Sequence, residues 1–313
     1  MDPKHVLYKI VDGIEKGLIT PESLSLGGAL ETEIARQLIW KVRDASTFLS
    51  KVTVKPVGKI KASFKLMDIA SEILVRVTQG GTPTDEQLVE LNRSDVNYTN
   101  LATQLFYTLT FDDLRDNKSN PTFETEIETN IAKAFANDLT RLGFRGVGDD
   151  YAGNAWGRLN KGWLQVAKES VPLGQRINTA GYTTLCEIFD AMLDALPDKW
   201  NVEEETPILV SPSDYRAWVK EMIADGSDVL ALARVTGKLP AYMGHPVVSD
   251  TQMVTGEHTL GNLKNFWMTV LTVIERYREV SGRKRCIDYT YDYSFDFGLG
   301  IPEATVIAWD QGY

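Results

Sequence analysis

The sequence is poor in the residues that most chemistry requires. It holds two cysteines, Cys186 and Cys286, with no CxxC spacing, which provides neither a disulfide framework nor a zinc site and leaves buried reduced thiols as the expectation. Its three histidines, His5, His245 and His258, share no ligand spacing and no HExxH pattern, so metal catalysis has no support. Gly143, Gly146 and Gly148 do not form GxGxxG, and no GxxxxGK[ST] or GxSxG occurs; these glycines read better as the exit of a helix than as a phosphate cradle or a nucleophile elbow. Neither a cofactor nor a metal is expected, and nothing local marks an enzyme.

Positive charge is also in deficit, with 33 Lys and Arg against 43 Asp and Glu for a net charge of -10. General DNA binding depends on basic residues that displace counterions from phosphates, so nucleic acid near this chain would be contained and not gripped. No apolar run approaches the ~20 residues that span a bilayer, and Met1 to Ile19 alternates charged with apolar residues where a signal peptide would be uniformly apolar. A cytosolic product without membrane association is expected. At 313 residues, 43% hydrophobic and 24% charged, the chain is globular in composition and long enough for two domains.

Along the chain, the first 47 residues predict an arm with two helices, from Val6, Leu7, Ile10 and Ile14 before Gly17 and from Ile34, Leu38 and Val42 after Gly27-Gly28. Strand-like alternation then appears in Val52, Val54 and Val57 and again in Leu105, Tyr107, Leu109 and Phe111. Between them lie Lys59, Lys61, Lys65 and a Gly80-Gly81 turn with few apolar anchors. A lone two-stranded hairpin is marginal in water, so contact with another subunit is expected to order this one.

The most regular element is a helix from Pro121, with Asn120 to cap it and Phe123, Ile127, Ile131, Phe135, Leu139 and Leu142 on one stripe ending at Gly143. A loop-rich stretch from Arg145 to Ala180 contains Asn160-Lys-Gly-Trp-Leu-Gln165. Beyond it the sequence predicts a helix from Thr183 to Leu196, a buried strand from Ile208 to Val210, a helix capped by Ser211 or Ser213, and two extended pieces around a Gly244-His245 turn. The last strand is the cleanest: Tyr289, Tyr291, Tyr293, Phe295 and Phe297 face one way and Asp288, Thr290, Asp292, Ser294 and Asp296 the other.

These last aspartates do not form a metal or acid pair, because four residues along a strand separate them by ~13 Å; a solvated or salt-bridged face is expected. Glu203, Glu204 and Glu205 read as an exposed loop, and the sequons at Asn92 and Asn97 as coincidence. Arg276, Arg278, Arg283, Lys284 and Arg285 gather around a Ser281-Gly282 turn. On so acidic a chain they are either a solvated hairpin or charge partners for a neighbouring subunit's carboxylates.

Arm, polar hairpin, spine helix, second α+β region and returning aromatic strand together resemble the major capsid proteins of tailed bacteriophages with the Hong Kong 97-type fold. The branch of contractile-tailed temperate phages is the most similar, through Asp44 to Val57, Asn130 to Gly146, Gly162-Trp163-Leu164-Gln165, Ile208 to Asp214 and Gly237 to Ser249. The resemblance implies an α+β chain with an N-terminal arm (1–47), an extended hairpin or E-loop (48–112), a peripheral domain with the spine helix (113–180), an axial domain (181–285) and a returning strand of the peripheral domain (286–313). It implies pentamers and hexamers in an icosahedral shell around double-stranded DNA, with inter-subunit contacts at Lys59, Lys61, Lys65 and the basic cluster. A portal and decoration proteins are further partners, and with the chain starting at Met1 a separate scaffolding protein is expected. An encapsulin shell shares the fold and would enclose an enzyme, whereas a cytosolic enzyme is the unrelated alternative.

Overall fold

A computed structural model describes residues 28–29, 32–69, 91–117, 120, 123–149, 155–224 and 241–311. The helix expected around Val6 to Ile14, the Gly80-Gly81 turn and Pro121 lie outside them. In chain order the elements are β1 (Gly28–Ala29), α1 (Thr32–Asp44), β2 (Thr53–Val57), β3 (Lys61–Ile69), β4 (Leu91–Thr99), β5 (Leu101–Thr110), α2 (Phe111–Asp116), α3 (Phe123–Arg145) and α4 (Trp163–Ser170). Then follow β6 (Arg176–Asn178), α5 (Leu185–Ala195), β7 (Ile208–Val210), α6 (Pro212–Ala224), β8 (Ala241–Tyr242), β9 (His245–Ser249), β10 (His258–Gly261), β11 (Phe266–Leu271), β12 (Glu275–Ser281), β13 (Cys286–Leu299) and β14 (Thr305–Trp309).

The 14-residue strand β13 is the axis of the first sheet. Phe295 pairs with Val270 of β11 and Leu101 of β5, and Asp292 pairs with Glu275 of β12 and Gln104 of β5. β11 and β12 are therefore one interrupted strand on one side of β13, and β5 lies on the other. β2 closes the sheet with a parallel ladder on β11. Its apolar face is covered by α3, where Phe135 lies 4.5 Å from Tyr293 between ring centroids.

The spine helix buries Ala132, Phe135, Ala136, Leu139 and Leu142, whereas Phe123, Ile127 and Ile131 of the same stripe are half-buried. The second arm helix, α1, has found its surface on this chain. Ala35, Ile39 and Val42 join the α3 residues in one apolar cluster, and Ser46 Oγ lies 3.1 Å from Thr140 Oγ1 at the helix exit.

The stretch expected to be loop contains α4. Trp163, Leu164 and Ala167 are buried, and Trp163 stands against Phe48, Phe144, Phe266 and Phe297. Covering an indole of this size contributes up to about 5 kcal/mol of transfer free energy. The exit of α3 passes so close that a methyl group on Gly143 would sit 2.2 Å from the Trp163 ring. Glycine is required there for the close approach of the indole to the helix backbone and not for an unusual φ.

The second sheet runs β6-β14-β10-β7-β9-β8. Leu209 and Ile307 face the first core, whereas Ile208, Val210, Val306 and Ala308 face a second core built on Phe189, Met192 and Trp218 of α5 and α6. Coverage on both faces explains why Ile208–Val210 is a continuous apolar run without alternation. Thr184 caps α5 in a reciprocal box with Glu187, and Ser211 Oγ accepts the Asp214 N–H at the start of α6. The expected Gly244-His245 turn is a reversal with positive φ at Met243 and Gly244.

The expectation that a neighbour must order the whole hairpin is corrected. Its strands enter the first sheet at both ends, with Phe48, Leu49, Val52 and Val54 in the core and β5 paired to β13 over ten positions. Only β3 and β4 stand apart, and their base is tied down. Buried Asn100 donates from Nδ2 to Lys59 O and accepts from Thr269 Oγ1, and Thr99 N–H donates to Asp296 Oδ2 at 2.8 Å. Long-range partners supply the anchors that the local pattern lacks.

Candidate assembly surface

β12, β13 and β5 run side by side in the first sheet, with β1 paired to the outer edge of β12 at Glu275 and Arg276, and the two faces of this stretch are unlike. On the helix side Tyr107 stacks on Tyr289 with centroids 4.7 Å apart, and Arg276 lies 5.1 Å above Tyr289 and 5.4 Å above Tyr291. Arg278 lies 5.9 Å from Tyr289. Cation–π contacts of this kind contribute about 0.5–1 kcal/mol when exposed. Burial, first, and the adjacent Tyr291 push the Tyr107 phenol well above its ordinary range, and burial does the same for Tyr293; both stay neutral.

The opposite face is acidic. Register places Glu275 directly across from Asp292 and Glu279 across from Asp288. A row of Tyr277, Thr290 and Phe106 crosses the strands between these pairs. Phe106 is 68% exposed and Tyr277 39%, so the apolar centre of this face is exposed among the described residues. Thr108 Oγ1 donates to Asp288 Oδ1 at 2.6 Å, which, ahead of the Lys284 charge, holds that carboxyl below its usual range. Tyr277 OH donates to Glu275 Oε2. Asp296, farther along the same face, is largely covered. Burial, first, raises its carboxyl, against the Thr99 and Phe297 N–H groups and the Asn160 side chain that favour the anion. It is an anchor of the hairpin base and not part of the solvated face expected for it.

The basic residues picked out by sequence do not form one patch. Arg276 and Arg278 belong to the tyrosine face. Lys284 Nζ is 3.7 Å from Asp288 and Arg285 Nη2 3.0 Å from Asp112, at exposed sites where ion pairs contribute little. Arg283 is exposed in the turn between β12 and β13. Lys59, Lys61 and Lys65 are exposed on the hairpin. Sequence reasoning missed Glu275, Tyr277, Glu279 and Phe106 as one surface. The alternation of Glu275, Tyr277 and Glu279 with Arg276 and Arg278 was its only local trace.

A cleft of about 490 Å³ at the hairpin base is lined by Lys55, Phe64, Trp200, Lys264 and Trp267. Lys55 Nζ lies 3.6 Å from the Phe64 ring centroid, and burial lowers its pKa. Of the histidines, His5 lies outside the described residues. His245 is buried with Nδ1 2.8 Å from Thr206 Oγ1, and His258 is buried edge-on to Phe189. Among the described residues no three His, Cys, Asp or Glu side chains converge on a metal position, and no helix is long and apolar enough to cross a membrane.

The family model described as "Phage capsid family" matches residues 27–297. No curated protein matches the sequence. Among solved structures the chain is similar to the procapsid of satellite phage P4 with its size-determination protein, with TM-score 0.69 and 13% identity over 88% of this chain and 98% of that one. It is also similar to the capsid of a native GTA particle, with TM-score 0.58 and 16% identity over 84% and 89%. A third likeness is to the holo-SrpI encapsulin complex of Synechococcus elongatus PCC 7942, with TM-score 0.53 and 12% identity over 87% and 91%.

Proposed function

Because this chain belongs to the phage capsid family and is a capsid shell subunit of the Hong Kong 97-type fold, we propose that it is the major protein of a phage head, self-assembling into an icosahedral shell around double-stranded DNA. The observation that carries this is the extended sheet. Phe106, Tyr277 and Val280, the last 58% exposed, lie on long strands that no other element covers among the described residues, and such exposed apolar positions beside charge mark association surfaces.

In this reading the hairpin and the β12–β13 tip reach neighbouring subunits, and Lys59, Lys61, Lys65, Arg276, Arg278, Arg283, Lys284 and Arg285 contribute to those contacts. The region 181–285 gathers at five- and six-fold axes. A separate scaffolding protein sets the curvature, a portal occupies one vertex, and decoration proteins bind outside. The net charge of -10 suits a wall that contains DNA without gripping it.

The likeness to an encapsulin favours one second reading, a nanocompartment around an enzyme. Gel filtration followed by analysis of the contents separates the possibilities. Capsomers or shells, with DNA or empty, support the phage head. Shells that copurify with a protein cargo support the nanocompartment, and a small oligomer alone contradicts both.

A further inference from the structure

We infer that the acidic face of β12, β13 and β5 is the seat for the outer face of β3 of a second copy of this chain, with Lys61 and Lys65 reaching the carboxylate pairs Glu279/Asp288 and Glu275/Asp292. This rests on the shell-subunit reading and names the partner surface of the hairpin. Like charges directly opposite each other destabilise a sheet, yet here two such pairs share one face. Asp292 Oδ1 is shielded from solvent and has no hydrogen-bond partner among the described residues. Among the described residues no ion pair offsets Glu275, Glu279 or Asp292; Glu275 accepts from the Tyr277 hydroxyl, and Asp288 has Thr108 and Lys284.

The complement lies on the hairpin. Lys61, Ser63 and Lys65 of β3 are exposed, whereas Ala62 and Phe64 turn inward. Two lysines four residues apart are ~13 Å apart on a strand, the same ~13 Å that separates Glu275 from Glu279 and Asp288 from Asp292. Ser63, small and midway, leaves room for Tyr277 and Phe106 between the two charge contacts. Asp95, opposite Lys65 on β4, is the one carboxylate that β4 presents beside these lysines among the residues with described side chains. Neither lysine pairs with a carboxylate among the described residues.

The chain's own hairpin does not reach this seat. Thr99 is held at Asp296, whereas Asp292 and Asp288 lie opposite Gln104 and Thr108, five and nine positions farther along and ~17 Å and ~30 Å away at the strand rise. A second copy is the source of lysines that the charges and the spacing fit.

The test is a charge swap in the full chain, read as the fraction that sediments as particles. Lys61→Glu with Lys65→Glu, and separately Glu275→Lys with Glu279→Lys, should each keep the parent's circular dichroism and melt yet lower that fraction about tenfold, and the four changes together should restore it. Restoration in the quadruple variant supports the pairing. If the hairpin pair blocks assembly and the sheet pair does not, the hairpin works between subunits but its seat is elsewhere, and the inference is overturned. If the sheet pair blocks assembly and the swap does not restore it, the face serves another occupant, and sensitivity of the parent to a chelator would identify a divalent cation. Unchanged particles from both pairs overturn the inference while leaving the shell-subunit reading intact.

Discussion

Phe64 of β3 stands edge-on to Trp267 of β11, with ring centroids 5.2 Å apart and an interplanar angle of 82°. Lys55 lies over the Phe64 ring, and Tyr98 packs beside it at 6.2 Å. The hairpin is thus docked on its own subunit at the root, by one aromatic residue hidden in a lysine-rich strand. Phe64→Ala should destabilise the subunit by about 1–3 kcal/mol through lost burial and the lost edge contact. A thermal melt identical to the parent's would show that Asn100 and Asp296 hold the root alone.

Gly143→Ala tests the approach of α3 to α4. A methyl group there meets the Trp163 ring at 2.2 Å, and a fully buried indole surrounded by four aromatic rings has nowhere to move. About 3 kcal/mol or more should be lost, and little soluble protein recovered. A well-folded variant with a parental melt would contradict the packing.

Position along the spine helix decides the cost of a buried charge. Leu139 is buried and Ile131 only half-buried, so Leu139→Asp should cost several kcal/mol and prevent folding, whereas Ile131→Asp should be the milder of the two. Soluble yield and circular dichroism rank them. The reverse order would show that the N-terminal half of the helix carries the core.

Asp296 gives a pH dependence with a defined sign. Burial raises its carboxyl above the ordinary value, so the native state holds this proton more tightly than the unfolded chain. The contribution of the group is most favourable below the unfolded pKa and declines as pH rises through the folded one. The melting temperature of the parent relative to Asp296→Asn should therefore be higher at about pH 4 than at about pH 7. A difference that grows with pH would reverse the assignment.

Much of this architecture was legible because its signals are local. The alternation of Tyr289 to Phe297, the stripe of Phe135, Leu139 and Leu142 and the apolar run Ile208–Val210 each declare an element within a few residues. What was not legible depends on partners far away in sequence. The helix from Trp163 to Ser170 is two turns long, follows glycines, and is explained only by Phe48, Phe266 and Phe297. The parallel pairing of Thr53–Val57 joins residues more than 200 positions apart. The acidic face appears only once register sets Glu275 opposite Asp292, because sequence places Glu275 among arginines and reads as mixed charge.

Negative-stain electron microscopy of the purified full-length chain bears most directly on the claim that this is a shell subunit. Closed isometric particles of uniform diameter, or ring-shaped capsomers that close into such particles when a scaffolding protein is supplied, are the predicted result. A monodisperse small oligomer that forms neither, at any salt concentration and with or without a scaffold, would contradict it.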